Sequence, residues 1–159
     1  MTTPAPSRPS ERLDALGVVL PPVPTPLASY LPAVRDGDLV WTAGALPVRS
    51  GTLLATGKVG DTVTPEDAAD LARVCTLNAL AGAAALLPGG IDDVERVVKV
   101  VGFVAGTPEF TGQPAVVNGA STLLAEVFGE AGTHARSAVG VAALPLDAPV
   151  EVELVLRVR

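Results

Sequence analysis

The stretch "RSAVGVAALPLDAPVEVELVLRV", residues 136 to 158, contains two apolar runs joined by a proline-containing turn. In the second run, apolar residues at even positions alternate with mostly polar residues at odd positions, and Glu151 and Glu153 are among the polar ones. This period of two predicts a strand with one buried face. In the first run, Arg136 shares a strand face with Ala138 and Gly140, so a charged side chain stands beside two very small residues.

The segments upstream predict the remaining elements. "DGD" (36–38) is a turn between two strands, "TPED" (64–67) begins a helix that runs to about residue 87, and "VERVVKVVGFVAG" (94–106) is a strand buried on both faces over much of its length. "QPAVVNGASTLLAEVFGEAG" (113–132) predicts a second long helix. The order strand, strand, helix, strand, helix, strand, strand indicates an α+β fold, a mixed sheet with two helices packed on one face.

The N-terminal region is predicted to be separate from this core. Residues 1–9 are rich in Pro, Ser and Thr and predict a tail, and "SERLDALG" (10–17) predicts a short helix with Ser10 as its N-cap. "PPVPTP" (21–26) predicts an extended connector. We therefore expect a tail and short helix over residues 1–17 and a single domain over residues 18–159.

Composition excludes several classes of function. The net charge is −6, which argues against nucleic acid as the main partner, while 48% apolar residues with few charges favour an oligomer. With one cysteine and one histidine, we expect no intrachain disulfide, no zinc site and no serine triad, and the sequence contains no nucleotide-binding glycine motif. Cys75 is expected to be a buried structural thiol, and His134, which has no visible carboxylate partner, is expected to be a surface residue. The longest apolar run, 77–87, is too short to cross a bilayer, and the first residues are unlike a secretory signal, so a cytoplasmic protein is expected.

Arg136 and the two glutamates have two interpretations. If the closing strands pair as a hairpin about "LPLD", Glu151 and Glu153 lie near Gly140 and Ala138 on the face of Arg136. The arrangement is then either an ordinary cross-strand ion pair or a carboxylate-binding site, because a guanidinium presents a planar fork suited to a carboxylate. The pattern alone favours the ion pair.

The closing stretch also resembles the signature of the RidA family (YjgF/YER057c/UK114, also called endoribonuclease L-PSP), which reads R-S-x-V-x-V-x-x-L-P-x-D-x-x-V/I-E-I/V-E. "SYLPAVRDGDLVWTAGALPV" (29–48) resembles the family's P-Y-S-Q-A-V-x-x-G-N-L-V-F-T-S-G-Q-I-P, and "VERVVKVVGFVAGTPEF" (94–110) resembles its V-x-K-x-T-V-F-V-x-D-x-x-D-F. "VVNGASTLLAEVFGEAGTHARS" (116–137) resembles its V-N-x-x-Y-x-x-F-F followed by P-A-R-S. The resemblance covers the chain from about Tyr30 onward, and the extra N-terminal helix is similar to the longer branch of the family.

The resemblance implies a chorismate-mutase-like fold and a homotrimer with ligand sites in the clefts between subunits. It implies hydrolysis of reactive enamines and imines to 2-keto acids and ammonia, with no metal or organic cofactor. In that scheme Arg136 binds the carboxylate of a small metabolite and Glu151 orients the attacking water. The same resemblance assigns further substrate-binding positions, which are Tyr30, Ala43, Gly44, Asn118 and Ala138.

The chain departs from the family pattern at polar positions. The family's S-G-Q is replaced by Ala43-Gly44-Ala45, its S-Q-A by Leu31-Pro32-Ala33, and the cysteine two residues after the arginine by Ala138. The leading hypothesis is therefore an enamine/imine deaminase or a close variant of one. A non-catalytic trimer that binds a keto acid is the alternative, and RNA cleavage, suggested by the older family name, is the weakest because of the acidic charge.

Overall fold

A computed structural model describes residues 8–23 and 29–159 of the chain. Residues 1–7 of the predicted tail (1–9) and residues 24–26 of the connector lie outside the described residues, and Pro9 belongs to the first helix rather than to the tail. The described part confirms the predicted α+β order and adds one short hairpin after the second strand. The elements are α1 Pro9–Leu16, β1 Ala33–Asp36, β2 Leu39–Thr42, β3 Val48–Arg49, β4 Thr52–Leu53, α2 Pro65–Ala84, β5 Val94–Ala105, α3 Gln113–Phe128, β6 Ala135–Val141 and β7 Val150–Val158.

The main sheet has the strand order β1-β2-β7-β5-β6. β7 pairs antiparallel with one edge of β5, and β6 pairs parallel with the other edge. The expected hairpin between the last two strands is therefore wrong. The reason is that α3 returns the chain to the start of β5, so β6 runs parallel to β5, and residues 142–149 then carry the chain across to the opposite edge.

The two long helices cover one face of the sheet, as predicted. Every apolar residue at an even position of β7 is buried there, together with Val100, Gly102 and Val104 of β5. The opposite face, called the bare face below, carries none of the helices formed by the described residues. The prediction that β5 is buried on both faces is wrong for this second face, where Val101 and Phe103 are only half-buried. The bare face also exposes the large apolar side chains of Val34, Trp41 and Val139.

The ends of the helices follow from local chemistry. The Thr64 hydroxyl caps α2 by accepting the backbone N–H of Asp67 at 3.1 Å, as predicted. α1 begins two residues earlier than expected, because Arg8 and not Ser10 is its N-cap. Ser10 instead donates its backbone N–H and its hydroxyl to the two carboxylate oxygens of Asp92, at 2.8 and 2.7 Å. The domain boundary at residue 17 stays a prediction, and no helix among the described residues is long and apolar enough to cross a membrane.

Candidate functional site

The predicted site residues divide into two groups on opposite faces of the sheet. The strand register places Arg136 of β6 in line with Val100 and Leu154, on the face that packs against the helices. Glu151 of β7 is in line with Phe103 and, beyond it, Val139 of β6, on the bare face. The expectation that Glu151 and Glu153 share a face with Arg136 is therefore wrong, because β5 separates the two strands and the register alternates between faces.

The first group, called the arginine cluster, consists of Asn118, Ser121, His134 and Arg136. Nη1 of Arg136 donates to Oδ1 of Asn118 at 2.8 Å and to Oγ of Ser121 at 3.2 Å. Oγ of Ser121 lies 2.9 Å from Nε2 of His134, and Nδ1 of that ring lies 2.5 Å from the carbonyl oxygen of Gly132. The cluster therefore joins the start of β6 to the outer side of α3.

These contacts assign the tautomer of the neutral imidazole. The Gly132 carbonyl only accepts, so Nδ1 carries the hydrogen and Nε2 has a free lone pair for the Ser121 hydroxyl. The prediction that His134 is a surface residue is wrong, because the side chain is half-buried and bonded through both ring nitrogens, although neither partner is a carboxylate. The sequence holds no local signal for this pair, since 13 residues separate Ser121 from His134.

One edge of the Arg136 guanidinium is available. Both hydrogens of Nη1 are used inside the cluster, whereas Nε and Nη2 form no hydrogen bond or ion pair with any described residue. Ala138, which is half-buried, and Gly140 follow Arg136 on the same strand face, and the side-chain amide of Gln113 lies over Gly140. The Nε–Nη2 edge is a fork that binds a carboxylate through two parallel hydrogen bonds.

The second group lies around Glu151, which is half-buried on β7. Ala45 forms a bridge with Val152, and this pairing lays the backbone of Gly44 directly against the Glu151 side chain. A Cβ at position 44 would lie 1.7 Å from Oε1 of Glu151, so only glycine leaves room for the carboxylate. Burial, and then the charge of Glu153, raise the pKa of the Glu151 carboxyl above its ordinary value.

A cavity of about 500 Å³ opens next to Gly44. Tyr30, Ala43 and Gly44 line it together with apolar residues of the N-terminal connector and of the β3–β4 hairpin. Asn78 of α2 also lines the cavity and holds its wall, because its side-chain amide donates to the carbonyl oxygens of Leu46 and Val48 at 3.0 and 2.9 Å. Sequence reasoning missed Asn78; its one signal is an amide inside the otherwise apolar run of residues 77–87.

Cys75 lies below this region, on the buried side of α2. Its Sγ faces the backbone carbonyl of Val150 at 3.7 Å, and burial, followed by the charge of Glu151, raises the pKa of the thiol well above its ordinary value. The prediction of a buried structural cysteine is confirmed. Among residues 8–23 and 29–159, no group of three His, Cys, Asp or Glu side chains could hold a metal ion.

The sequence and the fold of this chain are similar to those of known proteins. The family described as "YjgF/chorismate_mutase-like, putative endoribonuclease" matches residues 10–157. Protein TCP17 of Trypanosoma cruzi is 40% identical over 160 residues, covering 100% of this chain and 99% of that protein. The crystal structure of Atu1372 from Agrobacterium tumefaciens is similar with a TM-score of 0.88 and 42% identity, over 95% of this chain and 92% of that one.

A more distant structure carries a ligand. TdcF of E. coli, solved with bound serine, is similar with a TM-score of 0.62 and 26% identity, over 86% of this chain and 93% of that one. The fold, the match over nearly the whole chain and the relatives agree with one another. The chain therefore belongs to the YjgF/chorismate-mutase-like family, which is the RidA family whose signature its closing strands resemble.

Proposed function

We propose that this protein hydrolyses reactive 2-imino acids to 2-keto acids and ammonia. The observation that carries the proposal is the guanidinium of Arg136, which is fixed through Nη1 while its Nε–Nη2 edge faces no described partner. A charged, oriented and unpaired fork is suited to the carboxylate that every 2-imino acid carries. The serine bound to TdcF, itself a carboxylate with a neighbouring nitrogen, supports this class of ligand.

We further propose a homotrimer in which two copies build each site. Within one chain, Arg136 and Glu151 point to opposite faces and stand two strands apart, which is roughly 10 Å across the sheet and roughly 10 Å along it. One small ligand cannot contact both groups of the same chain. The arginine cluster of one copy must therefore meet the Glu151 region of another, and the apolar side chains of the bare face give the copies a surface to bury.

The site needs only to bind the carboxylate and to activate a water molecule, because an imine carbon is already electrophilic. Arg136 holds the carboxylate, and Asn118 and Ala138 of the same copy contribute to the binding of the ligand. Glu151 of the neighbouring copy accepts a proton from a water as its oxygen bonds to the imine carbon. Glu151 passes this proton to the nitrogen, which gives a carbinolamine. The second proton of the water then moves from the hydroxyl to the nitrogen as the carbon–nitrogen bond breaks, so that ammonia leaves and the carbonyl of the 2-keto acid remains.

The raised pKa of Glu151 suits the role of a base. A carboxylate whose pKa lies above its ordinary value is a stronger base than a carboxylate with an ordinary pKa. Because Gly44 has no side chain, the Glu151 carboxylate has room beside it. The side chain of the imino acid binds in the mainly apolar cavity next to Gly44, whose wall includes Tyr30 and Ala43. We expect this protein to act in the cytoplasm, which stays a prediction.

Subunit mixing tests the proposal. Arg136→Ala and Glu151→Gln should each lower the release of 2-keto acid from an imine generated in situ, such as 2-aminoacrylate, to the uncatalysed rate. Unfolding and refolding the two variants together at a 1:1 ratio should restore about one quarter of the wild-type rate, because one random neighbour pair in four combines an intact arginine with an intact glutamate. No acceleration by the wild type would overturn the activity, and no recovery on mixing would overturn the shared site.

Binding without turnover is the second candidate function. Ala43, Ala45 and Ala138 stand where the family pattern has a hydroxyl, an amide and a thiol, so the cleft keeps its carboxylate clamp and loses polar lining. Calorimetry with 2-ketobutyrate separates the two functions. Binding by the wild type and not by Arg136→Ala, together with an unchanged rate of imine hydrolysis, would favour a keto-acid binding trimer. Cleavage of RNA by the purified protein would favour the activity named in the family description.

A further inference from the structure

We infer that Ser121 and His134 are positioning residues, which act through Arg136 by holding its guanidinium in the orientation that receives a carboxylate. The identity of the ligand rests on the proposed function, whereas the role of the two residues is inferred from the hydrogen bonds of the arginine cluster. Neither residue touches the ligand edge of the guanidinium, because their only link to it is the Nη1 nitrogen on the other side of the group.

The hydrogen bonds of the cluster all run in one direction. Arg136 donates to Ser121, Ser121 donates to His134, and His134 donates to the carbonyl oxygen of Gly132, with separations of 3.2, 2.9 and 2.5 Å. Bonds aligned in this way polarise one another, so each link strengthens the next. The chain ends at a backbone carbonyl, which cannot rotate. The orientation of the guanidinium is therefore fixed relative to the backbone at Gly132.

Two acceptors on Nη1 fix the plane of the guanidinium. With Asn118 alone, the guanidinium could turn about that single hydrogen bond, and the direction of its free edge would vary. The second acceptor, Oγ of Ser121, removes this freedom. A carboxylate then meets a fork that is already aligned, and binding does not have to immobilise a long, flexible side chain.

His134 selects the rotamer of Ser121. A serine within a helix commonly turns its hydroxyl back to the carbonyl four residues earlier, which here is that of Val117. The free lone pair on Nε2 of His134 offers a better acceptor on the outer side of α3, and this leaves a lone pair of Oγ facing Arg136. The RidA patterns V-N-x-x-Y and P-A-R-S carry tyrosine and proline at these two positions, so both members of the pair depart from the pattern together.

The test combines ligand binding with a direct observation of the guanidinium. Ser121→Ala and His134→Phe should each raise the Kd for 2-ketobutyrate about three- to tenfold, which is the range for immobilising one flexible side chain. The double variant should bind no more weakly than Ser121→Ala, because His134 acts only through Ser121. His134→Gln, which keeps an acceptor, should recover most of the affinity. Thr122→Ala, on the exposed neighbour of Ser121 in α3, is the matched control and should bind as the wild type does.

Nitrogen NMR of the Arg136 side chain measures, in the absence of ligand, how firmly the guanidinium is held. Rotation about the Cζ–Nη1 bond should be slow in the wild type and in Thr122→Ala, and faster in Ser121→Ala and His134→Phe. Equal rotation in all four proteins would overturn the inference, and so would losses of affinity that multiply in the double variant. If the wild type binds no 2-ketobutyrate, the proposed function fails, while the rotation experiment still decides whether Ser121 and His134 hold Arg136.

Discussion

Substitution of Gly44 by alanine should remove activity without unfolding the protein. The added Cβ would lie 1.7 Å from Oε1 and 2.7 Å from Cδ of Glu151, whereas ordinary contact begins at about 3.4 Å. The carboxylate must therefore move by roughly 1.7 Å. Gly44 does not have a positive φ, so alanine fits the backbone, and the atom that gives way is the far end of a flexible side chain. The cost is a change of rotamer, about 0.5–1.5 kcal/mol, and the fold persists.

The effect on catalysis is larger than the effect on stability. A misplacement of about 1 Å in a reacting group costs on the order of a hundredfold, and this displacement is greater. We expect kcat/KM for 2-keto acid release to fall at least about a hundredfold, which corresponds to about 2.7 kcal/mol of transition-state stabilisation. The melting temperature should change by only a few degrees, because the expected loss of folding free energy is near 1 kcal/mol.

A double-mutant cycle identifies the route of the effect. If Gly44 acts through Glu151, alanine at position 44 should add less than about threefold to the loss already caused by Glu151→Gln. Each protein is assayed for keto-acid release and for thermal unfolding under the same conditions. Full activity in Gly44→Ala would show that the position of the Glu151 carboxylate is unimportant. Losses that multiply across the cycle would show that Gly44 serves the site in some other way, and either result would refute the reasoning.

Three further perturbations test the electrostatics, the assembly and the packing. Glu151→Gln should raise the free energy of unfolding at neutral pH, because the fold raises the pKa of this carboxyl through burial and Glu153. As the pH rises, the Glu151 carboxyl loses its proton in the unfolded chain before it does so in the folded one, so the wild type becomes less stable than the variant above a pH of about 4.3. This difference in the free energy of unfolding stops growing above the pKa of the folded state, and it should be absent in urea titrations near pH 3. Trp41→Glu places a charge on the bare face and should convert the proposed trimer of 16.0 kDa chains into monomers, as measured by light scattering; an unchanged mass would place the interface elsewhere. Gly102→Ala puts a Cβ 2.3 Å from Cγ2 of Val117 and should cost about 1–3 kcal/mol in urea unfolding, and an unchanged midpoint would contradict the packing of α3 on β5.

The local features of the fold could be predicted because their causes are local. Alternation along β7 follows from one buried face, the turn after β1 contains Gly37 with a φ of +62°, and Thr64 caps α2 within one turn of its start. The order of the strands could not be predicted from these signals. Pairing β7 with β6 or with β5 buries the same even-numbered residues, and only the crossover through α3 places β5 between them.

The site was predictable in its charged members but not in their arrangement. An arginine at the start of an apolar strand and a glutamate in an alternating strand stand out, because a core does not need them there. Ser121 and Asn78 do not stand out, because each has meaning only through a partner distant in sequence: His134 for the serine, and the carbonyls of the β3 region for the asparagine. Composition reveals residue types, whereas hydrogen-bond partners depend on the fold.

The division of the site between two faces has a physical advantage over the hairpin that the sequence alone suggests. On adjacent strands, Arg136 and a glutamate would meet as an ion pair, which would occupy the guanidinium and lower the pKa of the carboxyl. In the observed fold β5 keeps them apart, so the arginine edge stays unpaired and burial can raise the pKa of Glu151. In the proposed trimer, two copies bring the groups together, and each group is held by the backbone of its own chain. We therefore expect a gap of ligand size to persist between them, because neither side chain can collapse onto the other, and this is why the proposed site would depend on assembly.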